Sequence, residues 1–334
     1  MKKNLSVFLA AVMLMTSMTG CGGSGSNSDS SAKSEQTAEG EKVLNFGCQM
    51  YDDGSVNTVS GESSGWNCMR YGISECLFKF NDSMEVEPWL AESYTVNDEH
   101  TEWIITLKKD ITFSDGCPLT PSKVKETFDY LKEMGPSGSA KPEKYLEFEA
   151  TVTADDDANT ITIVTSKPYA NLPGQLAHPT MAILDIEDMK DFDNGAIGTG
   201  PYMIEQFNGV GVGYDMVKNP NYREEVPYDE VKILFMGDAS KLTEEDIIKK
   251  YKLPKIDFLK VGHHGSKTSS SKEFISKINP KYSIISVGRK NKYGHPNKEV
   301  LNNLDNSKIY RTDQDGSIMF KIKDNKLEIE TYSP

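Results

Sequence analysis

The stretch Val231-Lys232-Ile233-Leu234-Phe235-Met236-Gly237-Asp238 decides how this chain is divided. Before it lie turn-forming and acidic residues, among them Asn219-Pro220-Asn221-Tyr222 and Glu224-Glu225-Val226-Pro227. From Lys232 the sequence becomes a mostly apolar run, typical of a buried strand, that ends at a glycine and an aspartate. This change in composition predicts a boundary between two domains, at residues 42–231 and 232–334.

The distribution of charge agrees with that boundary. There are 17 basic and 37 acidic residues up to Val231, and 20 basic and 13 acidic residues after it, so the two parts carry net charges of −20 and +7, which give −13 together. A sign difference of this size suggests units with different partners, and a basic unit is compatible with nucleic acid. Lysines on solvated helix faces give the same count, and we favour that explanation. The length of 334 residues permits two ordinary cores.

The N-terminus has the features of a secretion signal. Lys2 and Lys3 precede an apolar stretch at residues 5–15, which is too short to span a bilayer as a mature helix. Met18-Thr19-Gly20-Cys21 resembles a bacterial lipobox, in which Cys21 would be lipidated; a plain secretory signal followed by an ordinary cysteine is the alternative. We expect a signal peptide at 1–21, a flexible polar tether at 22–41 and a folded part held at the extracytoplasmic face of the cell membrane.

Four further cysteines lie before the boundary, namely Cys48, Cys68, Cys76 and Cys117. Their spacing matches no zinc-binding signature. In an exported protein an even number of cysteines can form disulfides, whereas free buried thiols are the alternative. The sequence predicts no particular pairing.

The first part mixes helix and strand signals. Strands are predicted at 43–46 and 102–107, and a hairpin at 148–153 and 160–164 around an Asp/Asn turn. Thr120 can cap a helix that has Pro121 at its first position, continues with Val124, Phe128 and Leu131 on one face and stops at Gly135. A short helix is predicted within 68–78. These elements predict an α/β or α+β body.

Four blocks of this part carry a family resemblance. They are Glu87-Pro88-Trp89-Leu90-Ala91-Glu92-Ser93-Tyr94, Phe113-Ser114-Asp115-Gly116-Cys117-Pro118-Leu119-Thr120, Gly198-Thr199-Gly200-Pro201-Tyr202 and Asn219-Pro220-Asn221-Tyr222. In this order they resemble the family 5 solute-binding proteins, the lipoprotein or periplasmic receptors of ABC importers for peptides and nickel. The resemblance implies a type II periplasmic-binding-protein clamshell, a peptide or nickel ligand, and the importer's permease and ATPase subunits as partners.

The same resemblance implies an incomplete receptor. Residues 42–231 would supply most of a first lobe and nothing of the second. A clamshell binds its ligand by closing two lobes, so we expect little affinity from one lobe. Arg70 is a candidate for pairing a ligand carboxylate, with a structural ion pair as the equal alternative.

Other aromatic and histidine side chains of this part are predicted to have structural roles. Trp89 and Trp103 are predicted to be core residues, because large aromatic side chains are commonly buried. His100 and His178 are isolated in the sequence, which indicates loop or core histidines rather than metal ligands.

The second part predicts strands whose ends present metal-binding side chains. Strands are expected at 232–236, 258–262 and 282–287, a helix opening at Thr243, another through Val300 and Leu304, and a hairpin at 317–322 and 327–330. The first three strands lead towards Asp238, His263, His264 and His295. Zinc takes imidazole nitrogens and carboxylate oxygens, and a carboxylate between two metals can bridge them and hold a water of lowered pKa for attack on a phosphoester.

A second resemblance covers residues 232–334. Residues 234–238, 259–271, 280–288 and 293–296 resemble the C-terminal metallo-β-lactamase-fold domain of ComEC-type competence proteins. This implies a partial αββα sandwich, nucleic acid as a partner, and zinc or manganese bridged by Asp238 with His263, His264 and His295 at the site. The HxHxDH motif of that fold's first half is absent from the chain. We therefore expect weak metal binding and no effective catalysis.

Three hypotheses follow from the sequence. The chain is a lipid-anchored substrate-binding component of an ABC importer, truncated and impaired; or it is a metal-dependent hydrolase of phosphodiesters linked to DNA uptake; or it is a chimera of two gene fragments without a function of its own. The sequence favours the third as an account of the molecule. Each fragment is then expected to expose a half-covered apolar face unless the two faces pack together.

Overall fold

The computed structural model describes residues 42–48, 55–81, 83–189, 191–209, 212–235, 237–323 and 326–332. The signal peptide, Cys21 and the tether expected at 1–41 lie outside the described residues. Residues 41–334 group into one compact unit. No helix within the described ranges is both long and apolar enough to cross a membrane.

The described elements are strands, often in consecutive runs, and mostly short helices. The strands are β1 Val43–Cys48, β2 Phe78–Phe80, β3 Val86–Pro88, β4 Ala91–Val96, β5 Glu102–Leu107, β6 Thr151–Asp155, β7 Thr160–Val164, β8 Tyr202–Gly209, β9 Gly213–Lys218, β10 Glu230–Phe235, β11 Phe258–Lys260, β12 Tyr282–Ile285, β13 Lys308–Arg311, β14 Ser317–Lys323 and β15 Lys326–Tyr332. The α-helices are α1 Ser64–Arg70, α2 Pro121–Met134, α3 Leu172–Gln175, α4 Phe192–Gly195, α5 Lys241–Lys250, α6 Lys272–Ile278, α7 Lys298–Asn303 and α8 Thr312–Asp315.

A seven-stranded sheet crosses the predicted domain boundary. Its order is β13-β12-β11-β1-β10-β9-β8. The strands from β13 to β10 are parallel, whereas β9 pairs antiparallel with both β10 and β8. The Val231–Lys232 bond lies inside β10, which pairs with β1 on one side and with β9 on the other.

The two predicted parts meet along β1. On the side away from β10, this strand pairs with β11 through Phe46 opposite Phe258 and Gly47 opposite Leu259. The backbone groups on this edge of β1 are thereby paired, in keeping with the requirement that buried N–H and C=O groups find partners. The described parts therefore share one sheet, an arrangement that the sequence did not indicate.

A four-stranded antiparallel sheet carries the core of the first part. Its order is β4-β5-β7-β6, and α2 packs against β6 and β7. The helix is as predicted, because the Thr120 side chain accepts a hydrogen bond from the Lys123 N–H, Pro121 is its first residue and Val124, Phe128 and Leu131 are buried. Trp103, only 2% exposed, is confirmed as a core residue. Trp89 is partly buried against the cluster under the central sheet.

Three of the four family-like blocks are hydrogen-bonded to one another. The Ser114 N–H donates to the Gly198 carbonyl at 2.9 Å, and the side-chain amides of Asn219 and Asn221 donate to the Gly200 and Ser114 carbonyls at 2.8 and 3.0 Å. These blocks therefore build the framework of the fold. They tie the segments before and after β8 to the turn that precedes α2.

A buried ion pair stabilises the same region. The Glu75 carboxylate is 1% exposed and accepts two hydrogen bonds from the Arg223 guanidinium, at 2.7 and 2.8 Å. The Tyr222 hydroxyl donates a third at 3.2 Å. Because a buried carboxylate needs this compensation, the pair fixes residues 222–223 against the segment after α1.

The second part has its own apolar cluster beside the central sheet. Leu259 and Val261 from β11 and the loop after it pack with Phe274 and Ile278 of α6, and Val300 of α7 belongs to the same cluster. The hairpin of β14 and β15 forms as predicted, and the Phe320 ring contacts the Phe258 ring edge to face at 4.9 Å between centroids.

Some predicted details were wrong in their bounds. The helix predicted to open at Thr243 begins at Lys241, because Ser240 is the N-cap and its hydroxyl accepts from the Thr243 N–H. The helix predicted within 68–78 covers Ser64–Arg70. The first hairpin strand begins at Thr151, after a turn closed by the hydrogen bond from the Ala150 N–H to the Glu147 carbonyl. Cys48, Cys68, Cys76 and Cys117 are free thiols in the structure.

Candidate functional site at the carboxyl edge of the central sheet

The candidate residues of both parts converge on one edge of the central sheet. Since β12, β11, β1 and β10 run parallel, their carboxyl ends lie at the same edge, which is where open α/β sheets bind ligands. Asp238 follows β10, the His263 and His264 pair follows β11, and His295 lies in the segment after β12. Cys48 ends β1 between them.

The two adjacent histidines occupy a strained turn. His263 and His264 have φ angles of 46° and 54°, in the left-handed region that residues with a Cβ rarely adopt. The His264 Nδ1–H donates to the Ser286 carbonyl at 2.7 Å, which leaves Nε2 of a neutral ring as the electron-pair donor. His263 Nδ1 is 3.2 Å from the Thr268 hydroxyl, and its backbone N–H donates to the Gly237 carbonyl. Both imidazoles are therefore oriented by the surrounding chain.

His295 completes a group of three imidazoles. Its ring lies 6.1 Å from the His263 ring, measured between centroids, and its backbone is held by two hydrogen bonds with the Asn291 side chain, each 2.9 Å. Burial, followed by the proximity of His263 and His264, lowers the pKa of His295. His264 and His295 line a cavity of about 450 Å³ together with Ser286, Asn291, Tyr293 and Thr312. Two of the three imidazoles thus line one cavity, and His263 lies beside His295.

Asp238 is exposed and does not complete a ligand set with these rings. Burial lowers the pKa of Lys260, and the negative charge of Asp238 partly opposes that shift. Among the described residues, one group of at least three metal-binding side chains has its ligand atoms within 4.8 Å of one another, and it contains none of the four predicted ligands. Asp238, His263, His264 and His295 as placed do not fit a zinc or manganese ion held by three protein ligands.

Arg70 lies at the end of α1 near the same edge. Its positive charge lowers the pKa of the Cys48 thiol, although burial dominates and raises that pKa to about 12. The Arg70 guanidinium carbon is 5.1 Å from the centre of the Trp66 ring, within cation–π range. Trp66 is 37% exposed. We call this pair the Arg70–Trp66 surface.

The Arg70–Trp66 surface is backed by further aromatic rings. The Trp66 ring meets the His178 ring edge to face at 5.8 Å, and His178 stacks on Tyr145 at 3.7 Å between centroids with planes 11° apart. Sequence reasoning identified Arg70 and missed Trp66 and Tyr145. The i, i+4 spacing of Trp66 and Arg70 on a helix is the signal that places both on one face. A cation beside an exposed ring suits a ligand that presents a carboxylate next to an apolar group.

Comparisons with known proteins find likenesses to two kinds of protein. Residues 85–245 match the family model described as Bacterial extracellular solute-binding proteins, family 5 Middle, and this match extends past the predicted boundary. The nickel-binding protein NikA of Staphylococcus aureus is 31% identical over 140 residues, which are 42% of this chain and 27% of the relative. ComE operon protein 3 of Bacillus subtilis is 40% identical over 103 residues, which are 30% of this chain and 13% of the relative.

A solved structure supports the fold of the first part. The nickel ABC transporter from Bacillus halodurans superposes with a TM-score of 0.52 and 24% identity, covering 62% of this chain and 42% of that one. Residues 85–245 therefore resemble the family 5 solute-binding proteins, and the chain has a mixed α/β fold like that of the solved structure, as predicted. It spans about a quarter of NikA and less of the ComE protein.

Proposed function

We propose that the chain derives from the lipid-anchored substrate-binding component of an ABC importer for peptides or nickel, and that it retains part of one ligand-binding lobe. The observation that carries this proposal is the family 5 match over residues 85–245. By this proposal it acts at the extracytoplasmic face of the cell membrane, anchored through Cys21, and its partners are the importer's permease and ATPase subunits.

The Arg70–Trp66 surface is the proposed ligand contact. It lies near the end of β1, at the edge where open α/β sheets bind ligands. For a peptide, the Arg70 guanidinium would pair with a carboxylate while the exposed Trp66 ring contacts a neighbouring apolar group. Binding would be weak, because a clamshell obtains its affinity by closing a second lobe over the ligand and residues 232–334 do not resemble that lobe.

Calorimetry on the full chain tests this proposal. Mixed short peptides and nickel(II) are titrated separately into the wild type, Arg70→Ala and Lys125→Ala, the last being a control because Lys125 pairs with Asp129 on the exposed face of α2. We expect weak peptide binding that falls about tenfold or more in Arg70→Ala, since a charge-assisted hydrogen bond contributes ~1.5–3 kcal/mol. Absence of heat with both ligands from a folded wild-type protein would contradict the proposal.

We further propose that residues 232–334 derive from a metallo-β-lactamase-fold hydrolase linked to DNA uptake. Support comes from the 40% identity to ComE operon protein 3, from the two imidazoles of His264 and His295 that line one cavity, and from the His263 ring 6.1 Å from that of His295. Because the sequence has no HxHxDH motif and the part of the chain that the structure describes has no three-ligand set that includes Asp238, we expect no phosphodiesterase activity with added zinc or manganese. Turnover that Asp238→Ala abolishes would show instead that the site is functional.

Together these proposals make the chain a chimera of two partial domains. A joining error is tested by single long DNA reads across the codons for Tyr228 to Asp238, combined with a search for a transcript that spans them. Interrupted reads are expected if two gene fragments were joined in error. Uninterrupted reads together with a spanning transcript would establish a genuine fused gene.

A further inference from the structure

A second group of metal-binding side chains lies outside the candidate sites described above. Asp115, Cys117, Asp185 and Asp188 each place one carboxylate oxygen or thiol sulfur so that all four atoms lie within 4.8 Å of one another. This separation is compatible with four ligands around one ion. Asp115 and Cys117 belong to the turn before α2, and Asp185 and Asp188 belong to a segment about seventy residues later in the chain.

The backbone holds the two segments side by side. The Phe113 N–H donates to the Cys117 carbonyl at 2.8 Å and closes the turn. The Ser114 N–H donates to the Gly198 carbonyl, and Gly198 in turn bridges to Leu184, the residue before Asp185. The Asp185 N–H donates to the Ile197 carbonyl at 2.9 Å. Residues 197–198 thus connect both ligand-bearing segments without any ion.

Only one of the two carboxylate oxygens of Asp185 has a hydrogen-bond partner within the described part of the chain. Its side chain is 0% exposed, and its Oδ1 accepts a hydrogen bond from the Lys123 ammonium at 2.9 Å. Its Oδ2 is buried and has no hydrogen-bond partner within the described part of the chain. A buried carboxylate oxygen without a partner is destabilising, and native structures rarely leave one unexplained.

The charge around Asp185 favours a cation. The Lys123 ammonium lies within 4.0 Å of four carboxylates, those of Glu126, Asp185, Glu187 and Asp188. Asp115 adds a fifth carboxylate to the group through its place in the ligand cluster. One lysine therefore faces four acidic side chains, and Asp115 lies close to two of them, which leaves an excess of negative charge for a divalent ion to balance.

We propose that Asp115, Cys117, Asp185 and Asp188 bind a zinc-class divalent cation. A thiolate among the ligands selects against magnesium and calcium, which prefer oxygen ligands only, whereas zinc accepts sulfur and carboxylate oxygen in a tetrahedral set. Lys123 holds Oδ1 of Asp185 and so orients that carboxylate as an outer-shell partner. The bound ion ties the turn before α2 to the segment at Asp185 and Asp188.

Cobalt(II) substitution and zinc competition on the full chain test the proposal. A cobalt–thiolate bond gives a near-ultraviolet charge-transfer band that imidazole and carboxylate ligands alone do not give. The variants are Cys117→Ser and Asp185→Asn, which remove one ligand each with little change in shape. Asp157→Asn is the control, since Asp157 is an exposed aspartate in the turn between β6 and β7. His263→Gln separates this site from the imidazole group.

We expect one cobalt ion per chain with a thiolate band that disappears in Cys117→Ser. Zinc affinity should fall about tenfold or more in both ligand variants, because loss of an outer-shell partner alone costs about ten- to hundredfold. Asp157→Asn and His263→Gln should keep the band. No thiolate band in the wild type, an unchanged band in Cys117→Ser, or its loss in His263→Gln would each overturn the proposal.

A measurement on the wild type tests the proposal even if the variants fail to fold. Zinc should slow the alkylation of Cys117 by iodoacetamide, followed by peptide mass spectrometry, because a metal-bound thiolate is not free to react. Cys48, Cys68 and Cys76 are buried and serve as internal references. Alkylation of Cys117 at the same rate with and without zinc would refute the site regardless of how the variants behave.

Discussion

At the residue scale, His178 supports the Arg70–Trp66 surface and contributes to stability. Its ring is enclosed between Trp66 and Tyr145, and its Nδ1 accepts a hydrogen bond from the Thr180 N–H at 3.2 Å. Burial lowers the pKa of His178 to about 4, from an ordinary value of 6.5. The neutral ring is therefore the form that the folded protein prefers, and protonation should loosen the support behind Trp66.

The pKa of His178 predicts acid sensitivity of the fold. Because the folded-state pKa lies below the unfolded one, the unfolded chain binds the proton first, and stability is lost as the pH falls from about 6.5 towards 4. The urea midpoint of the wild type should fall more steeply over this range than that of His178→Asn, which keeps a hydrogen-bond acceptor but does not titrate. Parallel pH profiles for the two proteins would show that His178 does not titrate as stated.

The sequence predicted the character of single residues better than their partners. Trp103 was correctly predicted to be a core residue from its size, whereas Arg70 stays a predicted ligand contact, chosen because a guanidinium recognises carboxylates. The contacts of His178 with Trp66 and Tyr145 join residues far apart in the chain. No local pattern encodes such neighbours, so an isolated histidine looks featureless in the sequence.

At the element scale, the pairing of β9 with β10 depends on one glycine. Gly213 stands opposite Leu234, has a φ of +130°, and a Cβ at this position would lie 1.7 Å from the Ile233 carbonyl oxygen. Only a residue without a side chain permits this close approach of the two strands. Because β10 contains the predicted boundary, this contact joins β9 of the first part to the strand in which the second part begins.

Alanine substitutions at Gly213 and at a second glycine test that pairing. Gly209 in β8 also has a positive φ of +108°, but a Cβ there would meet nothing within 4 Å. Gly209→Ala should therefore reduce the free energy of unfolding by ~1–3 kcal/mol through backbone strain alone. Gly213→Ala should reduce it by about 1–3 kcal/mol more, because the added methyl forces β9 away from β10. Equal losses in urea unfolding would mean that β9 and β10 do not approach as described.

Elements were predictable where their signals are local. The helix α2 carries its cap, its first proline, its apolar face and its final glycine within sixteen residues, and all of them acted as predicted. The pairing of β1 with β11 joins Phe46 to Phe258 and involves two residues of each strand. Such pairing depends on which strand edge the rest of the sheet leaves free. The periodicity of a short stretch of sequence does not indicate that edge.

At the scale of the whole molecule, the central sheet predicts joint unfolding of both parts. The strand β1 lies between β10 and β11, so neither the first part nor the second can lose its strands without exposing an edge of the other. This differs from the expectation of two independent fragments with half-covered faces. Likeness to two different kinds of protein is compatible with a single cooperative structure, because sheet edges pair through the backbone whatever the origin of the strands.

Two probes on opposite sides of the predicted boundary distinguish these possibilities. All three tryptophans, Trp66, Trp89 and Trp103, lie in the first part, so their fluorescence reports its unfolding in urea. Amide hydrogen exchange of β11 and β12, read by mass spectrometry at the same urea concentrations, reports the second part. We expect coincident midpoints, and Gly213→Ala should shift both by the same amount, because one cooperative unit loses stability as a whole. Two separate midpoints, or a Gly213→Ala shift confined to the fluorescence, would show that the joined sheet does not couple the two parts.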